Sequence, residues 1–62
     1  MEVAIVVFDG VQALDVAGPL DVFAEANTYL PEHEKYEVSL VAHRAGPVTC
    51  SNGMQLSARF GF

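Results

Sequence analysis

The chain has 62 residues, 52% of them hydrophobic and 18% charged, with a net charge of −5. Its three basic residues, Lys35, Arg44 and Arg59, form no cluster, which argues against direct nucleic-acid binding through a basic stripe. Cys50 is the single cysteine, so no internal disulfide can form, and no Cys/His grouping has the spacing of a zinc site.

A folded chain of about 60 residues buries only about 60% of its extended surface, so one this short is marginal without a staple. The composition is nevertheless that of a core-forming chain rather than a disordered one. Those two facts conflict for a complete protein and agree for residues 1–62 as the first part of a larger α/β domain. Met1-Glu2-Val3 lacks the positive region of a signal peptide, and the apolar run after it is too short for a membrane span. With one free cysteine, the expected compartment is the reducing cytoplasm, with no membrane contact.

Taken in order, Val3 to Phe8 (VAIVVF) is apolar without alternation and rich in β-branched residues. Strands of a parallel sheet covered on both faces read this way. Asp9-Gly10 supplies a turn. Val16, Leu20, Phe23, Asn27 and Leu30 then recur at spacings of four, three, four and three, which is one helical face with Asn27 as its polar exception. Ala24 and Ala26 are expected to widen that face, with Phe23 packed against the sheet. Two helix starts fit the pattern. Gly18 can cap a helix whose first residue is Pro19. Alternatively the helix begins near Ala13, and Pro19 removes the hydrogen bond that the Asp15 carbonyl would accept. Asp21 and Glu25 are expected in the first turns, where acids suit the helix dipole.

Leu30-Pro31 ends the helix, and Glu32 to Lys35 is a polar connection. Tyr36 to Ala42 reads as a second strand, which completes a βαβ unit. Ala45-Gly46-Pro47 is a turn. Val48-Thr49-Cys50 and Met54-Gln55-Leu56 are short strands around Ser51-Asn52-Gly53, where Asn-Gly signals a hairpin.

Asp15 is the first functional candidate: an acid among apolar residues, just beyond the carboxyl end of a buried strand, where open α/β sheets place ligands. It would hydrogen-bond a thiol or a ligand, or else serve as an acid of the helix N-terminus satisfying free amides. Gly18 would let a ligand approach the backbone, or simply start the helix. Cys50 follows a short strand and no helix opens after it, so it lacks the setting of an activated nucleophile and reads as structural or peripheral. His33 and His43 read as solvated side chains. Gly10 and Gly18 do not make a G-x-G-x-x-G dinucleotide fingerprint.

FDGVQALDVAGPLDVFAEAN, followed by YEVSLVA and GPVTCSNGMQL, resembles the start of the ThiJ/PfpI superfamily, whose fold is that of the class I glutamine amidotransferases. The Leu14-Asp15-x-x-Gly18-Pro19-x-x-x-Phe23 pattern is most similar to the N-terminal sensory domains of AraC/XylS-type transcription regulators. The isonitrile-hydratase-like enzymes share it. The resemblance spans Val3 to Leu56 and implies a flavodoxin-like parallel sheet in a domain about three times this length. In a regulator, it implies that Asp15 and Gly18 belong to a small-molecule site. The parent would be a homodimer, and DNA would be contacted only through a helix-turn-helix domain absent from this chain. In an enzyme such as a hydratase or amidase, it implies that Asp15 is the acid partner of a nucleophilic cysteine that lies on a later strand-to-helix turn and is also absent here. No metal or cofactor is implied. The tail Ala58 to Phe62 departs from the family pattern, in which an acidic residue usually follows the hairpin.

Overall fold

Strands β1 (Glu2–Val6) and β2 (Glu37–Ala42) lie parallel and adjacent, Glu2 opposite Glu37 and Val6 opposite Val41, in a computed structural model describing residues 1–62. The Val7 amide extends the ladder by donating to the Val41 carbonyl at 2.8 Å. Along β1 and just past it, burial alternates. Val3 and Ile5 are half-buried and Val7 is buried, whereas Ala4, Val6 and Phe8 are exposed. The apolar run suggested a strand covered on both faces. One face is bare, because the chain has a single long helix and that helix packs on the other.

That helix, α1 (Ala13–Asn27), takes the earlier of the two starts, with Pro19 in its interior. Pro19 has no N–H to give the Asp15 carbonyl, so one intrahelical bond is missing there. The expected face is the one turned inward. Val16 is buried, and Leu20, Phe23, Asn27 and Leu30 are half-buried. Ala26 joins that face, but Ala24 is exposed. The early start also moves Asp21 and Glu25 out of the first turn, leaving Asp15 as its acid, so the dipole argument applies to Asp15 alone. The helix stops at Asn27, three residues before Leu30, where the Thr28 hydroxyl donates to the Glu25 carbonyl at 2.7 Å.

Asn27, the polar residue on an apolar face, has a specific task. Its side-chain amide donates to the Tyr36 carbonyl at 2.9 Å and its Oδ1 accepts the Tyr36 N–H at 2.7 Å. The side chain thus pairs with the backbone as a neighbouring strand would, and ties the end of α1 to the residue before β2. The Phe23 ring tilts on the Tyr36 ring beside this joint, with centroids 5.0 Å apart. Between them, Glu32–Glu34 forms a 3-10 turn with an exposed Lys35–Glu32 ion pair of 3.2 Å.

After β2 comes an antiparallel hairpin of β3 (Gly46–Thr49) and β4 (Gln55–Ala58), Gly46 opposite Ala58 and Thr49 opposite Gln55. Its strands begin and end up to two residues away from the expected positions, while the Ser51-Asn52-Gly53 tip is where the sequence puts it. There the Met54 N–H donates to Asn52 Oδ1 at 2.9 Å, the local bond for which Asn suits turns. The final residues add a strand that the sequence pattern did not indicate. β5 (Phe60–Gly61) pairs parallel with β2, giving the sheet order β1-β2-β5.

The architecture is therefore α/β: a three-stranded parallel sheet, one crossover helix and a two-stranded hairpin. Its core consists of Val7, Val11, Val16, Ala42, Val48, Cys50 and Ala58, with Ile5, Ala13, Leu40 and Leu56 packed against it. None of these is aromatic. The radius of gyration is 12.3 Å, against about 10.6 Å for a compact domain of this length. The molecule is a slab of 35 × 22 × 11 Å, which is the shape that a sheet with one bare face produces. No helix is long and apolar enough to cross a membrane.

Candidate ligand cleft

The site is built where β1 and β2 end. Beyond Val7 and Phe8 the chain turns sharply at Gly10, whose φ of +91° is strained for any residue with a Cβ. That turn is fastened to the hairpin by three hydrogen bonds. Gly10 N–H donates to the Thr49 carbonyl at 2.8 Å, Thr49 N–H donates to Asp9 Oδ1 at 3.0 Å, and Ser51 N–H donates to the Val11 carbonyl at 2.9 Å. Asp9 therefore holds the segment after β1 against the end of β3, and Val11 and Cys50 are buried beneath the joint.

On the outer side of this joint lies a cleft of about 520 Å³. Val6, Val7 and Phe8 come from the end of β1, Ala42, His43 and Arg44 from the end of β2, and Pro47 and Val48 from β3. Phe62 and Asp9 complete its lining. The walls are mainly apolar, with Asp9, His43 and Arg44 as the polar groups, the usual make-up of a small-molecule site. Its position at the carboxyl ends of parallel strands is the one open α/β sheets use for ligands.

Phe62 reaches the cleft because β5 runs close beside the segment after β2. A Cβ on Gly61 would lie 3.0 Å from the Ala45 nitrogen and the Arg44 Cα, and 3.1 Å from the His43 carbonyl oxygen. All three neighbours are backbone, so only glycine fits without displacing the chain. The Phe62 N–H donates to the Ala42 carbonyl at 3.0 Å, and its ring meets the His43 ring edge-on at 6.2 Å.

Asp15 and Gly18 lie elsewhere. Both are exposed on α1, Asp15 in its first turn and Gly18 one turn further, and neither lines the cleft. Asp15 is at the same end of β1 as the cleft by connectivity, and its carboxylate forms no ion pair or hydrogen bond. A Cβ at Gly18 would meet nothing within 4 Å, so no close approach inside this chain demands glycine there. Cys50 is a core residue. His33 is exposed beside Glu34, and His43 is exposed as expected, at the rim of the cleft.

Sequence reasoning passed over Asp9, His43, Arg44 and Phe62. The first three carried a positional signal, since each lies within two residues of the carboxyl end of a predicted strand. Phe62 carried none, because its place depends on a strand pairing with β2.

No family model matches the chain. A curated Streptomyces lividans protein, described as an uncharacterized protein in the cpoL 5' region, is 41% identical over 56 residues, which make up 90% of this chain and 38% of that protein. The chain thus spans well under half the length of the curated relative that it matches.

Proposed function

We propose that residues 1–62 are the N-terminal portion of a ThiJ/PfpI-like domain with a flavodoxin-like sheet, which senses a small molecule for an AraC-type transcription regulator. The observation that carries this reading is the apolar cleft with polar groups at the carboxyl ends of β1 and β2, joined by one crossover helix. The bare sheet face and the greater length of the Streptomyces lividans relative are in keeping with a larger domain. The Asp15–Gly18–Pro19 pattern is what directs it to the regulators, in which a separate domain contacts DNA.

The test is made on the full-length protein that carries these residues. It should hold a helix-turn-helix pair after this domain and bind DNA, and a small molecule should alter that binding. Arg44→Gln, in the cleft, should weaken the small-molecule response and leave Tm close to wild type, because its side chain is exposed and forms no ion pair that holds the fold. Asp15→Ala should do the same where segments later in the full-length protein bring the acid to the ligand. A full-length protein with no helix-turn-helix pair and no DNA affinity would overturn the regulator reading.

A second reading is the N-terminal part of a cysteine enzyme, supported by the Leu14-Asp15-x-x-Gly18-Pro19 pattern that such enzymes share, with the exposed Asp15 carboxylate free to meet a thiol from later in the chain. In that case a cysteine lies on a strand-to-helix turn downstream, and Asp15→Asn should lower turnover by about 10²–10⁴-fold. A sensor that needs only a hydrogen bond should tolerate Asn in part.

A further inference from the structure

The charge pattern of the cleft narrows what it can hold. Of the three basic side chains in this acidic chain, two are occupied. Lys35 pairs with Glu32 at 3.2 Å, and the Arg59 guanidinium lies 5.5 Å from the Phe60 ring centroid. Arg44 has no acid partner and stacks on no ring, and it lines the cleft. Its guanidinium is exposed and unpaired at the rim of an apolar cleft, free to meet an anion from solution. The one carboxylate in the cleft, Asp9, is already engaged through Oδ1 by the Thr49 amide.

We propose that the cleft takes a small monocarboxylate with an apolar body, its carboxylate held by Arg44 and its body lodged against Val6, Phe8, Val48 and Phe62. A planar guanidinium offers a carboxylate two parallel N–H donors, and that fork is lost with an amide or repelled by an amine. The apolar walls add area-dependent affinity without discriminating charge. His43, held edge-on by Phe62, adds a ring nitrogen at the same rim. This inference rests on reading the cleft as a ligand site and assigns the chemistry of its ligand.

The experiment uses the full-length protein with three probes of one shape: phenylacetate, phenylacetamide and phenethylamine. Binding is followed by amide resonances of residues 6–9 and 42–48 and by the rise in Tm. Phenylacetate should bind about 10- to 100-fold more tightly than either match, as a charge-assisted pair implies. Arg44→Gln should bring phenylacetate down to the level of the amide, while Arg44→Lys keeps part of the preference and Arg59→Gln keeps all of it. Equal binding of the amide or the amine at the cleft resonances, unaffected by Arg44→Gln, would overturn the carboxylate assignment and leave the ligand site standing. Silence of all three probes at millimolar concentration would overturn both. If Arg44→Gln failed to fold, the ranking of the three probes on the wild type would still decide the matter.

Discussion

Val6 and Val7 are neighbours of the same residue type in one strand run, yet Val7 is 1% exposed and Val6 57%. The difference runs along the whole of β1. Val3, Ile5 and Val7 face α1 and the hairpin, while Ala4, Val6 and Phe8 face outward. Residues 2 apart share a sheet face, so each face is set as a unit rather than residue by residue. What covers a face is a matter of which elements the chain supplies. Here one helix and one hairpin cover one side, and the other side keeps an apolar surface whose end becomes the wall of the cleft.

The phenylalanines sharpen the contrast. Phe8, Phe60 and Phe62 are all more than half exposed, and Phe23 is half-buried. The buried core is instead built of valine, alanine and cysteine. Three phenylalanines exposed in this way, two of them at a cleft, present a surface to be occupied.

The largest effect should come from a charge on the inner face. In the full-length protein, Val7→Asp would bury a carboxylate with no partner, and unfolding in denaturant should show a loss above about 3 kcal/mol. A loss under about 1 kcal/mol would mean that this face is wet and that the assignment of the two faces is reversed. Next comes the closing strand. Gly61→Val forces a side chain into backbone at His43 to Ala45, and should cost about 1–3 kcal/mol while detaching Phe62 from the cleft. A variant with unchanged stability and unchanged Phe62 resonances would show that β5 is not held beside β2.

Asn27→Ala should cost about 1–2 kcal/mol, since it leaves the Tyr36 N–H and carbonyl without their partner in a half-buried joint. Asn27→Asp is the finer probe: it keeps the acceptor for the N–H and loses the donor to the carbonyl. Finding Asp as stable as wild type would reduce the joint to a single bond. An effect of similar size belongs to the outer face. The isolated 62-residue chain should self-associate through its bare side, and Val6→Asp should weaken that association by about tenfold, or 1.4 kcal/mol, in sedimentation measurements. A monomeric chain with a cooperative melt would instead show that the outer face is stable in water and would remove the physical case for a larger domain.

Much of this protein is local and was therefore legible. The order strand, helix, strand, hairpin follows from apolar periodicity and from Gly, Pro and Asn at the turns, because these act through a few neighbouring bonds. The inward face of α1, from Val16 to Leu30, is written in the 3.6-residue repeat. Asn27 was visible as an exception on that face, although its partner was not. Tertiary structure alone decided the rest. It chose the Ala13 start over the Gly18 start, since an interior proline loses one hydrogen bond whereas packing Val16 into the core needs the extra turn. It made Phe60–Gly61 a strand, through pairing with β2 that no local pattern encodes. It also assembled the cleft, because Asp9, His43 and Arg44, and Phe62 stand far apart in the chain and meet only where parallel strands end side by side. For Asp15 and Gly18 the sequence marked a pattern, and the fold places them on an open helix surface at the same end of the sheet. A side chain's partners depend on which segments pack around it, and that is a property of the whole chain rather than of the residues beside it.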